Sequence, residues 1–279
     1  PPILLLDDDN SGNNGGYRTE TDSYYANALD NLTNPIAYDI IRVNSSADAP
    51  EIGILSEYQM IIWVCGTDYQ SGDTDVTFTD NDKSNVAEYL EDGGAMWVVG
   101  MDILYDFDTS DGDRSAGDFE HDYLGVSYAD NDRATPAVVY GVDDDPISDG
   151  VEYNADAISS DFADDINPRS GFEKVLSSNG DYNISTIRTE DEFKLVFMTI
   201  DFSSITSSED RDEFMENVVE YLVEQLENDV SLSRFNTPKD EETVEPNVEN
   251  IVNVTVRNRG TEDQDSIQVS LEITCLNNS

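Results

Sequence analysis

Positive charge is what this sequence has least of. Fourteen Lys and Arg residues stand against 61 Asp and Glu, a formal net charge of −47. A surface of that sign repels phosphates, which excludes nucleic-acid binding by charge neutralisation and disfavours anionic membranes. Histidine occurs once, at His121, and cysteine twice, at Cys65 and Cys275. Two thiols in different segments make no disulfide framework, and no Cys/His cluster is available for zinc. No run approaches the ~18 consecutive apolar residues of a membrane span, so direct membrane insertion is not expected. No secretion leader is visible. The chain opens at Pro1-Pro2-Ile3 straight into a strand, as a mature form or a fragment does.

What is present suffices for a core. Hydrophobic residues make up 38% and aromatics 9% of the 279 residues, enough for one medium domain and a smaller piece. The acids are spread along the whole length, unlike a tail, and arginine supplies most of the few positive charges. That pattern fits a folded protein facing high salt or abundant divalent cations. Its self-repulsion is screened by salt, with a Debye length of roughly 3 Å at 1 M. Sequons for N-glycosylation start at Asn31, Asn44, Asn183, Asn253 and Asn277. Chance alone gives about three or four in such a composition, so their number does not establish secretion.

Hydrophobic patterning orders the chain. Ile3 to Asp7 is a short apolar run, read as a buried parallel strand. A polar, Gly-rich loop follows, then helical spacing from Tyr17 to Leu32 with Tyr24, Tyr25, Ala28, Leu29 and Leu32 on one face. Tyr38 to Val43 is the second strand and Met60 to Cys65 the third. Thr79 caps a helix that runs through Glu91 and ends at Gly93-Gly94. Ala95 to Val99 is the fourth strand. This order predicts a parallel sheet with helices on both faces. From Asp102 to Arg188 the pattern weakens to an Asp-rich loop, a short helix at Phe119 to Leu124 and several short strand candidates. Phe193 to Phe202 is a strong late strand, and Ser207 to Leu226 a long amphipathic helix. The first domain is therefore placed at 1–228. After it the period changes: Val230, Leu232 and Phe235 alternate, as do Ile267, Val269, Leu271 and Ile273. Residues 229–279 read as part of a β-sandwich, with strands at Val230–Phe235, Ile251–Asn258 and Ile267–Thr274. An Ig-like sandwich needs about seven.

The segments ILLLDDD, YYANALDNL, YDIIRV, YQMIIWVCGTDY, VAEYLEDGGAMWVVGMDI and DYLGVSY resemble the class I glutamine-amidotransferase-like domains of microbial, especially archaeal, surface proteins. The late VFMTIDFSSI and DRDEFMENVVEYL extend the likeness over nearly all of residues 3–226. The tail, from DVSLSRFNTP through VNVTVRNRGTEDQDSIQVSLEI, resembles the Ig-like CARDB-type adhesion modules that often follow such domains. The resemblance implies a flavodoxin-like α/β domain and the start of an Ig-like module. It also implies where chemistry would sit: a Cys nucleophile in the sharp turn after AMWVVG, and a His just beyond the late strand. This chain has Gly100-Met101-Asp102 at the first place and Ile200-Asp201-Phe202 at the second. A thioether is no thiolate nucleophile, so no catalytic or cofactor-binding residue is assigned. Cys65 falls near the family's oxyanion-hole groups and reads as a small buried residue. His121 reads as structural or exposed.

One constellation of charge is left. Asp7, Asp8 and Asp9 follow the first strand, Asp68 the third, Asp102 the fourth and Asp201 the late strand. The carboxyl ends of parallel strands share one crevice, where several carboxylates repel one another unless a cation sits among them. Oxygen ligands without His or Cys favour Ca²⁺ or Mg²⁺. A second candidate is the alternating run Asp106, Asp108, Asp111, Asp113, which departs from the EF-hand pattern because Asp111 stands where Gly makes the sharp turn. The plain alternative for both is a solvated acidic loop. These readings give two expectations. The first is a non-catalytic extracellular module of a surface, filament or adhesion protein, whose partners are copies of itself or neighbouring surface-protein domains. The second is a secreted hydrolase or carbohydrate-binding accessory domain that uses the crevice carboxylates with a bound metal, Ca²⁺ being the candidate.

Overall fold

A computed structural model describes residues 2–9, 21–43, 47–66, 77–101, 103–108, 110–133, 137–156, 163–179, 182–189, 193–223, 230–237 and 253–258. The chain separates into two compact units, Pro1–Val223 and Glu224–Ser279. The boundary expected after Asn228 falls outside the described residues.

Strands of the first unit are β1 (Ile3–Asp7), β2 (Tyr38–Arg42), β3 (Met60–Gly66), β4 (Ala95–Gly100), β5 (Gly112–Asp113), β6 (Val126–Arg133), β7 (Val138–Gly141), β8 (Glu152–Asn154), β9 (Ala163–Pro168), β10 (Glu173–Asn179), β11 (Tyr182–Thr189) and β12 (Lys194–Met198). Its helices are α1 (Asp22–Asp30), α2 (Ile52–Leu55), α3 (Asp80–Glu91), α4 (Ile103–Phe107), α5 (Phe119–Asp122) and α6 (Ser208–Leu222). Nine strands form one sheet in the order β2-β1-β3-β4-β12-β11-β10-β7-β8, and β5-β6-β9 form a small second sheet. From β2 to β12 every pairing is parallel; from β12 to β8 every pairing is antiparallel. The domain is thus mixed α/β.

Every residue of β1, β3 and β4 is buried, which is why these runs are apolar without alternation. Alternate side chains feed two cores. Leu5, Ile62, Trp97 and Val196 pack with α1 and α6 on one face. Leu6, Trp63, Val98 and Phe197 pack with α2, α3, α4 and the small sheet on the other. Thr79 starts α3 with a reciprocal cap, its hydroxyl accepting from Asp82 N–H at 3.2 Å while Asp82 accepts from Thr79 N–H at 2.9 Å.

Several expected bounds change. The late strand ends at Met198 rather than Phe202, because Asp201 caps a 3-10 turn at Phe202–Ser204. The short helix ends at Asp122. One helical turn, α2, has no counterpart in the sequence pattern. In the second unit β13 (Val230–Thr237) and β14 (Asn253–Asn258) pair antiparallel. The strand expected at Ile267–Thr274 lies outside the described residues.

Candidate functional site

Strand order reverses between β1 and β3, since β2 lies on one side of β1 and β3 and β4 on the other. In open α/β sheets that reversal opens the crevice where ligands bind, outside the carboxyl ends of the strands. Asp7, Asp8 and Asp9 stand there, each at most 5% exposed.

Each of these acids has its own partner. Asp7 is the register neighbour of Arg42 at the end of β2. Its Oδ2 lies 3.2 Å from Arg42 Nε. Arg42 Nη2 also donates to Asp22 Oδ2, at 2.5 Å. Asp8 accepts from the Trp63 indole N–H at 3.1 Å. Asp9 accepts from the backbone N–H of Thr21 at 2.8 Å and from its hydroxyl at 3.3 Å. Asp201, 1% exposed, accepts from Ser203 N–H at 2.8 Å and from the Ser203 hydroxyl. Its other oxygen accepts from the Tyr25 hydroxyl at 3.4 Å.

Burying carboxylates together disfavours their charge. Burial, with the Asp9 charge beside it, pushes the Asp7 carboxyl up to about 7. Burial also lifts Asp201 to about 6, with the hydrogen bonds from Ser203 opposing and the Asp9 charge adding to the rise. Burial and the Asp201 charge hold the Tyr25 phenol well above its ordinary value. A carboxyl that keeps its proton near neutrality can act as an acid where its neighbour cannot.

The end of β3 runs close against Asp9, and the end of β4 close against β3. A Cβ on Gly66, at φ +65°, would lie 2.6 Å from Asp9 Cβ, and one on Gly100 would lie 2.7 Å from Cys65 Cβ. Met101 is 2% exposed and donates its N–H to the Gly66 carbonyl at 2.9 Å. Among the described non-glycine residues positive φ occurs at Asp144, so Met101 does not sit on the strained elbow that presents a nucleophile. Cys65 is a fully buried thiol outside any disulfide. His121 lies on α5, its Nδ1 2.8 Å from Asp122 Oδ1.

The acids of the second candidate do not converge. Asp106 accepts from Thr77 N–H at 3.0 Å, Asp108 from Ser110 N–H at 2.9 Å, and Asp111 from Asn131 N–H at 2.9 Å. Asp113 is exposed on β5. Among the described residues, no three His, Cys, Asp or Glu side chains stand close enough to hold a metal ion. Asp68 and Asp102 lie outside the described residues, as do Asn44 and Asn277; of Asn183 and Asn253 only the strand positions are described. Asn31 is exposed at the end of α1. Among the described residues no helix is long and apolar enough to cross a membrane.

Sequence patterning does not reveal Thr21, Tyr25 or Arg42 as partners of the strand-end acids, nor Asp22 as a second acceptor for Arg42. Arg42 leaves one trace: it ends a strand whose parallel neighbour ends in Asp7.

No protein-family model matches the chain, and no curated protein matches it by sequence. Several solved structures resemble it. A cytoplasmic protein from Salmonella typhimurium LT2 is 13% identical with a TM-score of 0.51, over 79% of this chain and 98% of that one. The β-galactosidase from Bacillus circulans sp. alkalophilus is 15% identical with a TM-score of 0.49, over 80% of this chain. The match spans 30% of that enzyme's length. A ThuA-like protein from Bacteroides uniformis is 12% identical with a TM-score of 0.48, over 79% of this chain and 90% of that one. At 13% identity the likeness to the Salmonella protein is one of fold alone, and fold does not fix function.

Proposed function

We propose that this chain is a non-catalytic extracellular module of a surface, filament or adhesion protein, adapted to high salt, and that its first unit is a degenerate amidotransferase-like domain. Met101 carries this reading. It occupies the turn after β4, is 2% exposed and offers no thiolate. Gly66 packs closely against Asp9 and Gly100 against Cys65, so neither position beside it has room for a side chain. The net charge of −47 supports the high-salt adaptation. In the second unit, the antiparallel pairing of β13 with β14 supports the Ig-like β-module reading, with other copies of the chain or neighbouring surface-protein domains as its partners. Purified protein is expected to show no glutaminase activity and to form no thioester with glutamine analogues. Turnover abolished by Cys65→Ser would overturn the reading.

The raised carboxyls of Asp7 and Asp201 favour a second reading, a secreted hydrolase or carbohydrate-binding accessory domain using them with a divalent cation. Under this reading the melting temperature rises with NaCl and rises further with millimolar Ca²⁺ at matched ionic strength, because a ligand that binds the folded state stabilises it by mass action. Identical curves for Ca²⁺, Mg²⁺ and matched NaCl would leave screening alone and remove the cation.

A further inference from the structure

Between α1 and α6 lies a groove of about 320 Å³, at the lower end of small-ligand sites. Tyr24, Asn27, Arg211 and Asp212 line it together with Asn31, and Asn31 opens the sequon Asn31-Leu32-Thr33. We propose that an N-linked sugar on Asn31 seats its first ring in this groove; the proposal rests on the extracellular reading above.

Three observations point there. First, the sequon is presented at the surface: Asn31 and Thr33 are exposed while Leu32, 7% exposed, anchors the turn in the core. Second, α6 holds the turn by its polar atoms. Asn31 Nδ2 donates to Asp212 Oδ2 at 3.0 Å, and the Thr33 hydroxyl donates to Glu216 Oε2 at 3.0 Å. Asp212 and Glu216 are one turn apart, so together they aim the Asn31 amide at α6. Third, the lining suits a pyranose. Tyr24 borders the groove with an apolar ring edge, and the Arg211 guanidinium lies over its ring at 4.8 Å. Asn27, Arg211 and Asp212 supply donors and acceptors for hydroxyls.

The chemistry balances with a lipid-phosphate-linked sugar as co-reactant. The Nδ2–C1 bond forms as the C1–O bond to the lipid phosphate breaks. The phosphate leaves with the electron pair, and one amide proton passes to a base of the transferring enzyme. The second amide proton stays on Nδ2 and can keep the hydrogen bond to Asp212. Because Asp212 follows Asn31 by 181 residues, an exported chain presents the sequon before the α6 clamp exists.

The test uses the full chain, exported with a leader from an N-glycosylating host and mapped by glycopeptide mass spectrometry. Asn31 is expected to carry sugar, and Thr33→Ala to lose it. An endoglycosidase is expected to release that sugar about tenfold more slowly from folded protein than from folded Tyr24→Leu or Asn27→Ala variants, the change that ~1.4 kcal/mol of seating gives. Near-UV circular dichroism verifies that each variant folds. A bare Asn31 beside an occupied sequon elsewhere, no occupancy at any sequon, or equal release from all three proteins would overturn the proposal. Fractionation of the native source tests the extracellular reading separately: recovery in the cytosol would sink that reading, whereas the leader-directed result judges the groove by itself.

Discussion

The two halves of the nine-stranded sheet are built on different terms. In the parallel half, β1, β3 and β4 are buried at every residue and helices or the small sheet cover both faces. In the antiparallel half, β7 and β8 alternate between buried and solvent-facing positions, with Val139 and Tyr153 inward and Tyr140 and Glu152 outward. A strand buried on both sides keeps polar groups off its length, so the acids of β1 gather at its end, while the half-exposed edge strand β2 carries Asp39 within it. A strand with one wet face carries them along it. The acidic crevice is thus a consequence of how the parallel half is covered, in a chain where acids must go somewhere.

The largest expected effect tests that difference in the core. Trp97, at the centre of β4, is fully buried and packs its ring 5.4 Å from Phe202 and 5.8 Å from both Tyr25 and Phe214. Trp97→Ala should cost about 3–5 kcal/mol of unfolding free energy. Tyr140→Ala on β7, where the side chain is 39% exposed, should stay within about 0.5 kcal/mol. Urea titrations at one fixed salt concentration compare them, and losses of equal size would mean the halves are not distinct.

A smaller effect sharpens the comparison at the strand ends. Gly66 at the end of β3 and Gly150 in the turn before β8 have nearly the same backbone, φ +65° and +73°. Alanine at either must adopt the left-handed region, at roughly 1–2 kcal/mol. At Gly150 an added Cβ meets nothing within 4 Å, whereas at Gly66 it meets Asp9 Cβ at 2.6 Å. Gly66→Ala should therefore cost about 1–3 kcal/mol more than Gly150→Ala. That excess measures how tightly the end of β3 packs against Asp9, and its absence would mean that Asp9 yields to an added methyl group.

The same contrast explains what can be read from the chain alone. ILLLD, MIIWVC and AMWVV announce themselves because double-sided burial leaves no polar residue in them. Thr79 followed by Asp82 announces the start of α3. The small sheet hides for another reason: β9 reads Ala-Asp-Asp-Ile-Asn-Pro, yet its Asp164 is 1% exposed. Composition gives no hint that an acid would be inside. The late strand reads too long in sequence because Ile200 and Phe202 are as buried as strand residues while the backbone between them turns around Asp201. At the site, Asp7, Asp8 and Asp9 are visible as acids at a strand end. Thr21, which donates to Asp9, Arg42, which pairs with Asp7 and Asp22, and Tyr25, which donates to Asp201, come from other elements, and only the sheet register and the packing of α1 bring them together.

The smallest effect concerns the protonation of that crevice. In the unfolded chain Asp7 titrates near 3.8, and in the folded chain at about 7. Between those values the folded state holds a proton that the unfolded state has released. The resulting stability is fully present below about pH 4 and is lost as pH rises through about 7. Asp201, lifted to about 6, acts in the same direction over a narrower window. The ion pair of Asp7 with Arg42 opposes the trend, but that guanidinium is 59% exposed and solvent screens it, leaving a net effect on the order of 1 kcal/mol across the window. General self-repulsion of a chain at −47 also weakens on acidification, so wild-type behaviour alone decides nothing. Asp156, exposed beyond β8, supplies the control, since Asp156→Asn removes the same charge without touching the crevice. Unfolding free energies of Asp7→Asn, Asp156→Asn and wild type are to be measured from about pH 4.5 to about pH 8 at constant ionic strength, the span over which the Asp7 proton is lost. Asp7→Asn should flatten the decline with rising pH, and Asp156→Asn should leave its slope as in wild type. Parallel curves for all three would mean that Asp7 is ionised like any surface acid, and the acidic ends of the parallel half would differ from the acids of the antiparallel half in position alone.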